Sequence, residues 1–359
     1  IGLLTARLRR KNIVTLVLSV AFLFAYFYFY MNLQRFLGEL VQRGEEIAAA
    51  FRQAMPPFYA FGTGAADQSL SGLLLFVLWS AVPFALTIVL LGRGYRKVLI
   101  TNRGTARVEY REKAATPVGA LRALLRKELA QYWSRPTVVL NTTIGALFMV
   151  VLSIFLLVKQ ADLVSLLLSF APALGSVGLP ALCAGTLVLL ASMCNLSASL
   201  VSLEGRHLWI VRSIPVPSGT ILLAKYCVHL LTVSLPCALA SLCAGFAVAE
   251  GASDWLLLFL LPQASIAMMA AIGLVVNLRF PNFGWTNEIF VVKQGLSAML
   301  SLFGGMAMVV VLVLLYAFLL RHVLAVAAFL WVCALVFAAC AGVLGAWLRT
   351  AGARRFDAL

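Results

Sequence analysis

Charge is scarce in this chain. Asp, Glu, Lys and Arg make up only 11% of its 359 residues, while 63% are hydrophobic. A soluble domain of that length needs more polar surface, so the balance excludes the ordinary soluble classes and indicates a polytopic membrane protein. Histidine is nearly missing, with three in all, and those three are scattered. The seven cysteines (Cys183, Cys194, Cys227, Cys237, Cys243, Cys333 and Cys340) fall in apolar runs and form no CxxC pair. They read as small buried apolar side chains rather than as metal or redox groups.

Catalytic signatures are lacking too. HExxH, GxSxG, paired intramembrane carboxylates and GxxxxGK[ST] do not occur. "GRGYRKV" at 92–98 has glycines and bases but no Lys-Ser/Thr pair and no strand–loop–helix setting. The expectation is a chain without catalytic, cofactor or metal residues of its own, unable to hydrolyse ATP by itself.

What is present is hydrocarbon in long runs. A helix needs about 20 apolar residues to cross a bilayer. Eight runs qualify: 13–31, 72–92, 138–158, 173–196, 221–248, 255–277, 294–319 and 323–348. No barrel-like alternation is seen, so the spans are expected to be helices. The net charge of +15 could suggest nucleic acid, but the bases lie between spans, which argues against that partner. Of the 28 Lys and Arg, 23 fall in one alternating set of connections and only Arg35, Arg43, Arg52, Lys159 and Arg321 in the other. By the positive-inside rule both termini are then cytoplasmic.

Two connections stand out. "PVGALRALLRKELAQYWSRP" carries Leu121, Leu124, Leu125, Leu129, Tyr132 and Trp133 at helical spacing, with Arg122, Arg126 and Lys127 off that stripe. This pattern predicts an amphipathic helix in the cytoplasmic interface, its bases toward anionic headgroups. The exterior connection 32–71 suggests a second amphipathic helix through Leu37, Leu40, Val41, Ile47, Ala48 and Phe51. No acid or base falls near a span centre. Lys225 and His229 sit at the start of the fifth span, where Lys225 is expected to snorkel and His229 to reach a headgroup or a neighbouring helix.

Three segments in this order resemble a known family: "LLRKELAQYWSRPTVVLN" (124–141), "SLEGRHLWIVRSIPVPSGTILLAKY" (202–226) and "NLRFPNFGWTNEIFVVKQGLS" (277–297). They are similar to permease subunits of bacterial type-2 ABC exporters. There an interfacial "elbow" helix precedes six spans, and a short cytoplasmic helix contacts a separate ATPase.

The resemblance implies an elbow helix with Leu121, Leu125, Arg126, Lys127 and Trp133 ahead of a six-helix permease half at 113–359. Residues 1–112, with two spans, would close a preceding half; the missing initiator Met favours a piece of a fused two-half permease over an eight-span dimerising subunit. It implies an ATPase-coupling helix near 203–214, with Glu204, Arg206, His207, Trp209 and Arg212 facing the partner and Pro215 and Pro217 ending it. It also implies a second candidate cytoplasmic contact at Trp285, Asn287, Glu288 and Lys293, where the residues alone equally allow Trp285 to be an interface anchor. The implied partners are two ATPase subunits carrying ATP and Mg, a second permease half and the bilayer of the bacterial inner membrane. Read without the resemblance, 203–214 is a charged turn that fixes topology. The rival functions are a non-transporting structural subunit, a lipid-modifying enzyme and an ion-coupled carrier.

Overall fold

The computed structural model describes residues 11–42, 56–66, 68–101, 118–158, 160 and 177–359. Most of the amphipathic stretch expected around 37–51 lies outside them. The chain divides into two compact units, residues 1–114 and 115–359. Among the described residues every regular element is helical.

The first unit holds α1 (Lys11–Gln42), α2 (Pro56–Ala66) and α3 (Leu70–Thr101). Helices α2 and α3 pack together, with Phe61 and Phe76 rings 5.0 Å apart. Leu70–Arg93 of α3 is long and apolar enough to span a membrane and buries none of its hydrophobic length within the chain. In α1 the apolar part, Leu16–Tyr30, is shorter than that.

The second unit begins with α4 (Ala120–Trp133), then α5 (Pro136–Thr142) and α6 (Ile144–Val158), which meet at 61°. Thr142 and Thr143 donate back to the carbonyls of Val138 and Val139 at 2.8 and 2.6 Å, the kind of bonding that bends helices. Next come α7 (Leu179–Ser192), two 3-10 turns (Leu196–Ala198 and Ser202–His207) and α8 (Leu208–Arg212). The unit continues through α9 (Ser218–Val248), α10 (Ala252–Arg279), α11 (Glu288–Lys293) and α12 (Leu296–Leu315). After a π turn at Tyr316–Leu320, α13 (Val326–Trp347) runs through a second π turn into α14 (Ala353–Asp357).

Helix α10 is the axis of this unit, packed against α7, α9, α12 and α13. Leu258, Ile266, Ala271, Leu274 and Leu278 are shielded along its length. At one end Leu257 and Met269 pack with Phe329 and Phe337; at the other Leu274 and Leu278 pack with Ile221, Leu222 and Phe356. Gly273 lets α10 approach the first 3-10 turn so closely that any side chain there would collide with Ser197.

Among the described residues six helical stretches are long and apolar enough to cross a membrane: Leu70–Arg93, Leu179–Arg212, Ser218–Val248, Ala252–Arg279, Glu288–Leu320 and Val326–Asp357. The bent pair α5–α6 makes a seventh if it counts as one crossing. The fold is thus an all-helical, multi-pass membrane type. One boundary differs plainly from expectation. The stretch after residue 196 does not leave the bundle as a surface connection: residues 194–205 are all buried, wound in 3-10 turns rather than α-helix.

Candidate functional site

The buried turns at 194–205 carry Asn195, Ser197, Ser199 and Ser202, side chains that compete with helical backbone bonding. Irregular backbone is tolerated at membrane depth only where protein satisfies it, and Asn277 of α10 does so here. Its Oδ1 accepts from the backbone N–H of Val201 (2.8 Å) and Ser202 (3.1 Å), while its Nδ2 donates to the hydroxyls of Ser202 (2.7 Å) and Ser297 (3.1 Å). The Ser202 hydroxyl also accepts from the Asn282 N–H at 3.0 Å. Trp285 closes the arrangement, its indole N–H donating to the Ser202 carbonyl at 2.7 Å.

Gly205 then reverses the chain with φ 56° and ψ −136°, a conformation open to glycine and strained for other residues. A Cβ there would also lie 3.2 Å from the Trp285 ring. The reversal separates two sets of side chains. Glu204, just before it, points inward and is 7% exposed; Arg206 and His207, just after it, are exposed.

Glu204 enters a closed cluster of two acids and two bases. Its carboxylate accepts from Lys225 Nζ at 2.6 Å and from Lys127 Nζ at 3.0 Å. Lys225, wholly buried, also reaches both oxygens of Glu128 at 3.1 and 3.0 Å and the Leu200 carbonyl at 3.2 Å. Lys127 bridges to Glu128 at 2.9 Å. Charges alternate around the cluster: the buried Lys225, Glu128 and Glu204 neutralise one another away from solvent, and Lys127, 39% exposed, closes the group at its outer edge. Three elements are thereby joined: α4 through Lys127 and Glu128, the 3-10 turn through Glu204, and α9 through Lys225. The inner face of α4 continues this dry contact, and burial pushes the Tyr132 phenol up to about 12.

Three expectations are corrected by this geometry. Glu204 does not face a partner, because Lys225 and Lys127 hold it inside. Lys225 does not snorkel to the interface, since two carboxylates lie within reach and outcompete that route. Lys127 does not turn to headgroups with Arg126 but leans across α4 to the same carboxylates. The segment 203–214 is also not one helix: the Gly205 reversal splits it into the 3-10 turn and α8. His229 takes the bundle side of its two expected fates, its Nδ1 accepting from the Ser197 N–H at 3.1 Å.

The other expected residues fall as follows. Trp209 is 66% exposed on α8, beside exposed Ile210 and Arg212. The Arg212 guanidinium also donates to the backbone carbonyl of Asp357, tying α8 to the C-terminal turn. Asn287 caps α11 by accepting from the Ile289 N–H at 3.0 Å. Glu288 pairs with Arg135 at 3.0 Å, and Lys293 is exposed. On α4, Leu121, Arg126 and Trp133 are exposed and Leu125 is half-buried. Trp285, stacked on Gly205, brings the two expected cytoplasmic contacts into one surface. Among the described residues no cluster of three or more His, Cys, Asp or Glu could hold a metal.

No protein-family model, curated protein or solved structure matches this chain.

Sequence reasoning missed Glu128, Asn277, Ser202 and Arg135. Glu128 alone had a local signal: it stands four residues from both Leu124 and Tyr132, on the stripe that α4 buries. Asn277 and Ser202 come together only through the tertiary packing of α10 on the turn.

Proposed function

We propose that this chain is the transmembrane permease subunit of an ATP-driven exporter. It couples to a separate ATPase through the exposed surface of Arg206, His207, Trp209 and Arg212, flanked by Trp285 and Lys293. The observation that carries this reading is how that surface is mounted. The turn bearing Arg206 and His207 is pinned by Asn277 and Trp285 and bolted by Glu204 to Lys225 of α9 and to Lys127 of α4. A push on the surface is therefore transmitted to α4 and α9 instead of being absorbed by a loose loop. A turn that merely fixed topology would not need such a mount. The ordered resemblance of the three charged segments to exporter permeases adds to this.

In this reading α4 is the interfacial elbow before six spans, with the bent α5–α6 pair as the first of them. Leu70–Arg93 adds one earlier span, and the shorter apolar stretch Leu16–Tyr30 is taken as another on the strength of the apolar run 13–31, for eight in all. The membrane is the bacterial inner membrane, and the termini are cytoplasmic with the coupling surface. ATP and Mg sit on two partner ATPase subunits, and a second permease half completes the pathway, fused upstream or by dimerisation.

The test is ATP turnover by the candidate ATPase reconstituted with this chain, wild type against Arg206→Glu/Trp209→Ala. The expected result is that wild type alters turnover and the variant loses both complex and effect while remaining folded. Unchanged complex and turnover in the variant would move coupling off this surface, and failure of wild type to bind any ATPase would overturn the exporter reading.

A further inference from the structure

At the opposite end of the second unit from the ion cluster, a cleft of about 750 Å³ opens between α7, α12 and α13. Its walls are largely apolar, formed by residues such as Gly185, Leu312 and Phe337. One end differs. Arg321 and His322, in the link between α12 and α13, line it and are both exposed. Arg321 Nε donates to His322 Nε2 at 3.0 Å, which orients the guanidinium plane but supplies no negative charge. Among the described residues no carboxylate pairs with Arg321 or His322. Glu250 and Asp254 line an adjoining cavity, where Asp254 accepts from the Glu250 N–H at 3.1 Å.

The depth of the cleft is informative. It follows α13 from Val326 to Phe337, about 16 Å at ~1.5 Å per residue. That is close to half of a ~30 Å hydrocarbon core, so the cleft runs from the charged end through roughly one leaflet. An apolar partner helix could cover the walls but would leave the Arg321 guanidinium without a counter-charge. A guanidinium fork suits phosphate oxygens.

We propose that this cleft is a binding site for an anionic phospholipid of the surrounding bilayer, with an acyl chain lying past Gly185 toward Phe337 and the phosphate held by Arg321 and His322. The site needs only a bilayer, so it stands or falls independently of the exporter reading.

Native mass spectrometry of the full chain, released from nanodiscs containing equal phosphatidylglycerol and phosphatidylcholine, tests it. Wild type should retain one phosphatidylglycerol per chain in clear preference to phosphatidylcholine. Arg321→Gln/His322→Gln should lower that preference about tenfold, the loss expected for a charge-assisted contact. Gly185→Trp should reduce retention of both lipids; a Cβ at Gly185 meets nothing within 4 Å, so the cleft has room for the filler. Equal retention of the two lipids by wild type would overturn the proposal. So would unchanged phosphatidylglycerol retention in the Arg321→Gln/His322→Gln variant, or release of lipid-free chain pairs joined on this face. If Gly185→Trp does not fold, the headgroup variant alone decides.

Discussion

Lys225 Nζ meets the carboxylate of Glu204 at 2.6 Å inside the bundle, with the lysine wholly shielded from solvent. A buried charge is costly unless paired, and removing one partner of such a pair leaves the other stranded. Lys225→Met should therefore destabilise the protein by about 3–5 kcal/mol, read as earlier loss of the monodisperse species on heating in detergent. Lys225→Met/Glu128→Gln removes one base and one acid together and leaves Glu204 paired with Lys127. That double variant should recover most of the loss. If it is no better than the single change, the cluster is not held by charge balance.

The reversal at Gly205 makes a second prediction. Gly205→Ala must adopt a positive φ of 56° and place a Cβ 3.2 Å from the Trp285 ring. The backbone penalty alone is about 1–3 kcal/mol, since φ 56° with ψ −136° lies outside the left-handed helical well that other residues can enter. Gly284→Ala, nearby in the same surface but with open space around it, should be close to neutral. Comparing the two by thermal or denaturant unfolding in detergent separates a conformational requirement from general sensitivity of this region. Equal effects would mean that the reversal is not under constraint.

How much of this could be read in advance follows from which forces are local. The helices Ser218–Val248 and Ala252–Arg279 lie within a few residues of the apolar runs 221–248 and 255–277, because hydropathy over a full span is a local property. The break at 194–205 is not. Serines that bond to water in a loop and serines that bond to Asn277 across the bundle are written identically. Ion pairing is equally hidden: Lys225 and Glu128 stand 97 positions apart, and a hydropathy reading counts each as a charge seeking solvent. Arg206, His207, Trp209 and Arg212, which the resemblance sets on a partner-facing surface together with Glu204, are exposed. Glu204, two residues from Arg206, is inside because one glycine between them takes a positive φ.

The exposed surface should respond differently from the cluster beneath it. Among the described residues the side chains of Arg206 and Trp209 make no hydrogen bond to the bundle, and both are exposed, so Arg206→Glu and Trp209→Ala should change stability by no more than about 0.5 kcal/mol. Any effect on a partner's ATP turnover would then report lost contact rather than lost fold. Lys225→Met, by contrast, should lower both. A stability loss in the surface variants as large as that of Lys225→Met would show that this face is structural.

The last prediction concerns the bridge between Arg135 Nε and Glu288 at 3.0 Å. It links the end of α4 to the start of α11, so it joins the expected elbow to the second expected contact. Both side chains keep partial access to solvent, 21% and 29%, and a half-exposed pair of this kind contributes about 0–1 kcal/mol. Its value lies in register more than in stability: Asn287 already caps α11, and the bridge holds that cap against the α4–α5 corner. Charge reversal gives the cleanest reading. Arg135→Glu and Glu288→Arg should each cost little and the double reversal should restore wild-type behaviour, with a coupling energy within about 1 kcal/mol in a double-mutant cycle. The informative readout is limited proteolysis around 282–294, where each single variant should be cut faster than wild type and the double variant should not. Equal cleavage in all four proteins would mean that the pair orients nothing.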